Sequence, residues 1–334
     1  MVKKLEPTLL DDEMDNLNPS KKRNRYDKTS AQTGTRNTKT KKKSTQGLEP
    51  DTLLIMEAQK KFSYQASRFE AGWLMESLAE FYQNHWIEDI HHMVKGGKEA
   101  SVYLCQSQAQ GSPTWIAAKV YRPRRFRNLR NDGIYREGRD NLDENGNTII
   151  NAGMLVAMRK KTSYGLHLLH QSWIKHEFNT LKLLHANGCD VPQALASGPN
   201  CILMDYIGDI DRGAPTLHEV SLTRVEAKEI GQRVLFNIEC MLEHQRIHGD
   251  LSPYNVLIWE NKITLIDFPQ ALHPNQNPQA YALFLRDMVK MDQYFKPFGF
   301  TMESERIAPL LWNKYRYLQS EDFLYDLPDQ LDGE

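Results

Sequence analysis

The spacing of hydrophobic residues changes along the chain and predicts the order of its elements. Apolar residues recur at helical intervals from 52 to 88, which predicts a helical segment. Short apolar runs at 90–105, 114–122 and 201–208 predict strands, and a Gly-Gly turn divides the first run into two. The pattern therefore opens with a helix and continues with strands.

The pattern then becomes mainly helical. Thr223 and Glu226 form a capping box before a long amphipathic helix. Strands followed by helices indicate two lobes, and the polar stretch 122–165 between them is predicted to be loop-rich or mobile. The other predicted elements are helices near 172–186, 279–296 and 303–316, and a hairpin of two short strands at 256–259 and 263–266.

These changes of pattern divide the chain into four predicted segments. The segment 19–45 has one aromatic residue, Tyr26, and almost no aliphatic ones, so it cannot bury enough apolar surface to offset its ordering entropy. The predicted segments are a disordered basic tail at 1–50, a helical lead segment at 51–88, an N-lobe at 89–208 with a long insertion at 122–172, and a C-lobe at 209–334 that ends in an acidic tail.

The net charge of −1 is the sum of two opposite parts. Residues 1–50 carry a net charge of +5, and residues 51–334 carry −6. The basic tail is interpreted either as a solubilising spacer or as an electrostatic contact with RNA or another polyanion. The near-zero total therefore does not exclude a nucleic-acid partner.

Cysteine spacing and the start of the chain predict the compartment. The four cysteines lie far apart and form no CxxC pair, so we expect neither a disulfide framework nor a cysteine-based zinc site. The first residues lack the apolar core of a secretory signal, and no apolar run reaches the roughly 18 residues that span a bilayer. We therefore expect a cytoplasmic protein without a membrane partner.

The strongest chemical signal is the string HGDLSPYN, followed by a hairpin and then LIDF. Asp250 and Asn255 are five positions apart in a predicted loop, and Asp267 comes twelve positions later, after the hairpin. If the hairpin folds back beside the loop, the three side chains converge. Oxygen ligands of this kind suit Mg²⁺, and phosphoryl transfer needs a metal and a carboxylate beside the attacking hydroxyl. Either aspartate alone would be an ordinary turn or strand-end residue.

A lysine and a glycine turn upstream would complete such a site. Lys119 lies in the predicted buried strand AAKV, where a charged lysine needs a partner, and Glu177 on the next predicted helix could supply it. Lys119 would then hold the α- and β-phosphates. The turn of Gly96, Gly97 and Lys98 matches neither GxxxxGK[ST] nor GxGxxG, but its place between two strands suits a turn that covers phosphates.

Together, KGGKEASVY, AAKVY, WIKHEF, LMDYIG, HGDLSPYN and LIDFPQAL resemble the RIO kinase family of atypical serine protein kinases. The resemblance runs from about Ile90 to Phe298. It implies a two-lobed protein-kinase-like α+β fold, with a β-rich N-lobe and a mainly helical C-lobe. It also implies an ATP-dependent serine/threonine kinase that uses Mg²⁺ or Mn²⁺ and phosphorylates a protein serine or itself.

The resemblance implies roles for single residues. A phospho-aspartate at Asp267 would give an ATPase-like cycle, Met204 would gate the adenine pocket, and Asp205 and Ile207 would offer backbone hydrogen bonds to adenine. The implied catalytic residues are Asp250, Lys119 and Asp267, and the implied metal ligands are Asn255 and Asp267. The implied nucleotide contacts are Gly96, Gly97, Lys98, Lys119, Glu177, Met204, Asp205 and Ile207.

The chain departs from ordinary protein kinases at several positions. HGD replaces HRD, which removes the arginine that reads an activation-loop phosphate, and Ser252 stands where DLKxxN has lysine. DFP replaces DFG, and no APE follows, so we expect the peptide-substrate platform to be absent, and the physiological substrate is not determined by the sequence. Within the family pattern, Lys95, Gly96 and Gly97 replace the usual Ser-Thr-Gly, so phosphate contacts from those hydroxyls are lost or moved.

Two other functions stay open. Aminoglycoside and choline kinases have similar HGDLxxxN strings, so a small-molecule phosphotransferase is one alternative, although the GKEA turn and the Pro-Gln after Asp267 argue against it. The other is an ATP-gated binding protein on a ribosomal particle. It would use the basic tail 1–50 and the basic run 122–130. The other interpretation of the run 122–130 is a solvated loop without a partner.

Overall fold

A five-stranded antiparallel sheet with helices packed on it forms the N-lobe. The structure, a computed structural model, describes residues 62–109, 111–122 and 132–315. The strand order is β1-β2-β3-β5-β4, and each neighbouring pair is antiparallel. In chain order the elements are α1 (Arg68–Gln83), β1 (Ile87–Gly96), β2 (Ala100–Ser107), β3 (Trp115–Tyr121), α2 (Asp132–Arg136), α3 (Ala152–Arg159), α4 (Ser163–Ala186), β4 (Ala194–Ser197) and β5 (Cys201–Asp205).

Alternation along β3 decides which of its side chains face the cleft. Successive side chains of a strand point to opposite faces of the sheet. Ala118 and Val120 join the core that α1 covers, whereas Ala117 and Tyr121 join the core shared with α4 and the C-lobe. Lys119 therefore faces the same side as Ala117 and Tyr121, towards α4.

The C-lobe is mainly helical and contains one small hairpin. The predicted capping box is confirmed, because the Thr223 hydroxyl accepts from the Glu226 amide and the Glu226 carboxylate accepts from the Thr223 amide. The predicted hairpin and the two helices after it are also confirmed. The elements are α5 (Arg224–Glu243), β6 (Val256–Trp259), β7 (Lys262–Leu265), α6 (Ala280–Phe295) and α7 (Ser304–Tyr315).

The insertion is more helical than its polar composition predicts. The expectation of a loop-rich 122–165 is wrong for parts of 132–165, because α2 and α3 lie there and α4 begins at Ser163, well before the predicted start near 172. Thr162 caps α4 by accepting from the Gly165 amide at 3.1 Å. A small separate core holds this corner together, formed by Ile149, Met158 and Leu168. Packing therefore overrides composition here.

Several predicted segments lie wholly or partly outside the described residues. They are the tail 1–50, the start of the lead segment 51–88, most of the basic run 122–130 and the end of the acidic C-terminal tail, so the segment boundaries stay predictions. The sequence pattern missed β4, a short strand whose side chains are mostly half-buried. None of the helices in the described ranges combines the length and the apolarity needed to span a bilayer.

Candidate active site

Lys119 pairs with one carboxylate from each lobe. Its Nζ lies 2.5 Å from Glu177 Oε1, on α4, and 2.7 Å from Asp267 Oδ1, just after β7. Lys119 is 8% exposed and Glu177 is 1% exposed. The Tyr121 hydroxyl donates to Glu177 Oε2, and the Phe268 amide donates to Glu177 Oε1 at 3.3 Å. The predicted Lys119–Glu177 pair is therefore present, and Asp267 is a second partner of the lysine.

The charges in this cluster stabilise one another. Burial disfavours the charged Lys119, but the carboxylates of Asp267 and Glu177 outweigh burial and raise the pKa of the lysine. Burial likewise opposes ionisation of Asp267, but the Lys119 ammonium outweighs it and lowers the pKa of that carboxyl. The ammonium and the Asp267 carboxylate are therefore both charged near neutral pH.

The hairpin folds back beside the predicted catalytic loop. The Ile266 amide donates to the Asn255 carbonyl at 2.9 Å, and the Asn255 side-chain amide donates to the Asp250 carbonyl at 2.9 Å. Asp267 follows with φ 72°, a left-handed backbone that aspartate tolerates better than most residues. The sequence-predicted trio of Asp250, Asn255 and Asp267 is brought to one region of the C-lobe.

A cavity of about 670 Å³ lies between the sheet, α4 and the hairpin. Its lining does not include Gly96 or Asp250. Gly97 has no room for a side chain, because a Cβ there would lie 2.8 Å from the Ala100 carbonyl oxygen. The predicted residues that line the cavity are Gly97, Lys98, Lys119, Glu177, Met204, Asp205, Ile207, Asn255 and Asp267.

Helix α6 contributes residues that the sequence analysis missed. Arg286 donates to the Gly249 carbonyl, and Lys290 Nζ lies 2.9 Å from Asp250 Oδ1. Asp287, 3% exposed, lies between them in sequence, and burial raises the pKa of its carboxyl. The spacing of 286, 287 and 290 places these residues on neighbouring turns of one helix. That spacing is the sequence signal by which they could have been found.

His248 packs and hydrogen-bonds beside the loop. Its ring lies against Phe268, with centroids 4.5 Å apart, and its Nε2 donates to the Ile266 carbonyl at 3.1 Å. The Asp250 amide donates to Nδ1 at 3.3 Å. With Nε2 as donor and Nδ1 as acceptor, the ring holds the backbone of the loop at two points.

One disulfide contradicts the cysteine expectation. Cys189 and Cys240 are bonded across 51 positions, whereas Cys105 and Cys201 are buried thiols. Cys189 follows α4, and Cys240 lies on α5. The prediction failed because spacing in sequence does not report the distance between a loop and a helix that pack together.

Comparison with known families decides the class of this site. The model of the RIO domain family matches residues 134–307, a little over half of the chain. The chain belongs to the RIO domain family. The matched residues include Glu177, Asp250, Asn255 and Asp267, so the C-lobe half of the site lies within the family match.

Curated relatives carry the same family name. The RIO-type serine/threonine-protein kinase Rio1 of Haloferax volcanii is 26% identical over 67% of this chain and 69% of its own length. The serine/threonine-protein kinase RIO1 of Chaetomium thermophilum is 26% identical over 66% of this chain, but this covers 42% of that protein. The chain therefore spans under half of the Chaetomium relative.

Among solved structures, the Rio2 kinase–ADP/Mg²⁺–phosphoaspartate complex from Chaetomium thermophilum aligns with a TM-score of 0.48 and 16% identity. The alignment covers 79% of this chain and 80% of that one. The predicted family and the predicted two-lobed kinase-like α+β fold are confirmed by the family match and by the two lobes described above.

Proposed function

We propose that this protein is an ATP-dependent serine/threonine protein kinase of RIO type. The observation that carries the proposal is the contact of Lys119 with Glu177 from the N-lobe and Asp267 from the C-lobe, in the wall of the cavity between them. A cation held at that junction suits a polyphosphate, because it can neutralise phosphate charge while it stays paired with both carboxylates. The relatives, which are named serine/threonine-protein kinases, support the same activity.

The cavity fits a nucleotide. Its volume of about 670 Å³ lies within the roughly 300–1,000 Å³ typical of ligand pockets. The Asp205 amide already donates to the Gln193 carbonyl at 3.0 Å, so we assign the Asp205 carbonyl to accept from adenine and the Ile207 amide to donate to it. Met204, 8% exposed, would close the adenine end. The phosphates would lie by Lys119 and by the turn of Gly96, Gly97 and Lys98.

Asn255 and Asp267 are the residues that would hold Mg²⁺, with Mn²⁺ as a substitute. Asn255 uses its amide nitrogen for the Asp250 carbonyl, so its amide oxygen is the atom that would face a cation. Asp267 pairs through Oδ1 with Lys119, yet its side chain is 48% exposed and can reach a ligand. This donor set is hard oxygen, as magnesium prefers, and the bound ion would neutralise phosphate charge.

Two acceptors fit the geometry. In the first, Asp250 orients a protein serine hydroxyl and takes its proton as the serine oxygen bonds to the γ-phosphorus and the bond to ADP breaks. In the second, an Asp267 oxygen bonds to the γ-phosphorus and ADP leaves. Water then hydrolyses the acyl phosphate, which would make the protein an ATPase-like switch.

Asparagine variants separate the two acceptors. We expect Asp250→Asn to lower serine phosphorylation by about 10²–10⁴-fold, because the acceptor hydroxyl loses its proton acceptor. We expect Asp267→Asn to abolish any protein-bound label that hydroxylamine releases. The measurement is transfer from γ-labelled ATP, with hydroxylamine-stable label (phosphoserine) and hydroxylamine-labile label (acyl phosphate) counted separately. Wild-type rates in both variants would refute the kinase assignment.

The proposal also includes a contact between the basic segments of the chain and RNA or another polyanion. Residues 1–50 and the run 122–130 are strongly basic, and the proposal rests on that charge alone. We expect the full chain to co-sediment with ribosomal particles in a salt-sensitive way, and a variant lacking 1–50 to lose this. Salt-independent sedimentation, or sedimentation without the tail, would show that the tail is a spacer.

A cytoplasmic location also belongs to this proposal, and the redox state of two cysteines tests it. The Cys189–Cys240 disulfide bears on this, because structural disulfides are uncommon in reducing compartments. Rapid alkylation of intact cells, followed by mass spectrometry of both cysteines, would measure their state. A cytoplasmic pool with both cysteines as thiols fits the proposal, whereas a fully oxidised pool recovered outside the cytoplasm contradicts it.

A further inference from the structure

Helix α6 presents a lysine to the proposed catalytic aspartate. Lys290 Nζ lies 2.9 Å from Asp250 Oδ1, and the two side chains are 36% and 43% exposed. One turn earlier, Arg286 donates to the carbonyl of Gly249, the residue before Asp250. The helix thus holds the loop at two successive points, first through its backbone and then through its reactive carboxylate.

The loop that carries Asp250 has no lysine or arginine directly after this aspartate. Asp250 is followed by Leu251 and Ser252, and Ser252 stands where the ordinary DLKxxN string has a lysine. A serine cannot offset negative charge where a carboxylate meets a phosphate. The Lys290 ammonium reaches the same carboxylate from a different element, 40 positions away in sequence.

The ion pair between Lys290 and Asp250 contributes little to the stability of the fold. Partly exposed ion pairs of this kind contribute roughly 0–1 kcal/mol to folding. A positive charge next to a group that handles a phosphoryl transfer contributes much more to the reaction, because it acts where negative charge gathers. The contact through one oxygen also restricts rotation of the carboxylate and leaves Oδ2 for another partner.

We propose that Lys290 is a positioning residue for phosphoryl transfer. Its ammonium holds Oδ1 of Asp250, so that Oδ2 faces the acceptor hydroxyl, and it takes over the role of the cation absent at position 252. The inference rests on the proposed kinase function. It goes beyond that function because it assigns a specific task to a residue of α6.

The test compares Lys290→Met with a matched ion pair elsewhere. Lys314 and Glu239 form a similar exposed pair, 2.7 Å apart, between α7 and α5, so Lys314→Met is the control. We expect Lys290→Met to lower kcat about 10–100-fold with the KM for ATP changed less than about twofold, since the ammonium touches the carboxylate and not the adenine. Lys314→Met should keep both constants, and both variants should melt within a few degrees of wild type.

Two further variants separate positioning from a general loss of charge. Lys290→Arg should recover part of the rate, and Ser252→Lys placed in the Lys290→Met background should recover more, because it returns a cation to the loop. Equal kcat values for Lys290→Met and Lys314→Met, alongside an inactive Asp250→Asn, would overturn the inference and leave the kinase function standing. An Asp250→Asn enzyme with the wild-type rate would instead overturn the kinase function and this inference together.

Discussion

At the scale of single residues, the site is organised around one buried lysine with two acidic partners. Lys119 is held by Glu177 and by Asp267, and Glu177 also accepts from Tyr121 and from the Phe268 amide. Three donors thus converge on one glutamate that is almost fully buried. Such a network tolerates loss of a charge poorly, because the remaining partner stays buried without compensation.

A double-mutant cycle measures this network. We expect Lys119→Met to destabilise the fold by about 3 kcal/mol, because Glu177 is then buried without its cation. Adding Glu177→Gln should restore part of that loss, because the uncompensated charge disappears while the amide oxygen still accepts from Tyr121. Urea unfolding of the wild type, both single variants and the double variant gives the comparison. Additive losses would show that the two residues act independently.

At the scale of elements, the start of α4, the helix that carries Glu177, depends on one glycine. Gly165 lies in the first turn of α4 against the end of α3, and a Cβ there would lie 2.0 Å from the Ala157 carbonyl oxygen. The helix can begin there only if residue 165 has no side chain. The corner between α3 and α4 therefore depends on one close backbone contact, in a region whose polar composition suggested a loop.

Two glycine-to-alanine variants test the corner. We expect Gly165→Ala to destabilise the fold by about 1–3 kcal/mol, since overpacking outweighs the better helix propensity of alanine. Gly72→Ala in α1 is the control, because no atom lies within 4 Å of its Cβ position, and it should be neutral or stabilising by up to about 1 kcal/mol. Thermal melts report both. A neutral Gly165→Ala would mean that the α3–α4 corner opens readily.

At the scale of the whole molecule, α4 is tied to the C-lobe just after it ends. The Asp190 amide donates to Asn237 Oδ1, and Arg233 pairs with the Asp190 carboxylate, with Nε to Oδ2 at 2.6 Å. The bond between Cys189 and Cys240 adds a covalent link at the same place. The helix that carries the lysine partner is thus anchored to α5 at its C-terminal end.

Reduction tests how much this link stabilises the molecule. Opening a loop of 51 positions should lower the free energy of unfolding by up to about 4 kcal/mol on a chain-entropy basis. We expect dithiothreitol to lower the urea midpoint of the wild type. Cys189→Ser should unfold at one midpoint with or without the reductant, which separates this bond from effects on Cys105 and Cys201. An unchanged wild-type midpoint would contradict the stabilising role.

Elements with strong local signals could be predicted, and contacts made by packing could not. The capping box of Thr223, the hairpin after Asn255 and the strand of Lys119 follow from periodicity and local hydrogen bonds. The early start of α4 could not be predicted, because its stability comes from contacts with α3. Strand β4 was missed because a strand of four residues, three of them half-buried, carries almost no pattern.

The sequence by itself determined the family resemblance and the order of strands and helices that indicates two lobes, and it offered Glu177 as a candidate partner for Lys119. These follow from local spacing and from the rule that a buried charge needs a partner. The tertiary structure decided that Asp267 also holds Lys119, that Cys189 meets Cys240 and that Lys290 meets Asp250. Each joins residues 40 or more positions apart, and such distances depend on how helices and strands pack against each other.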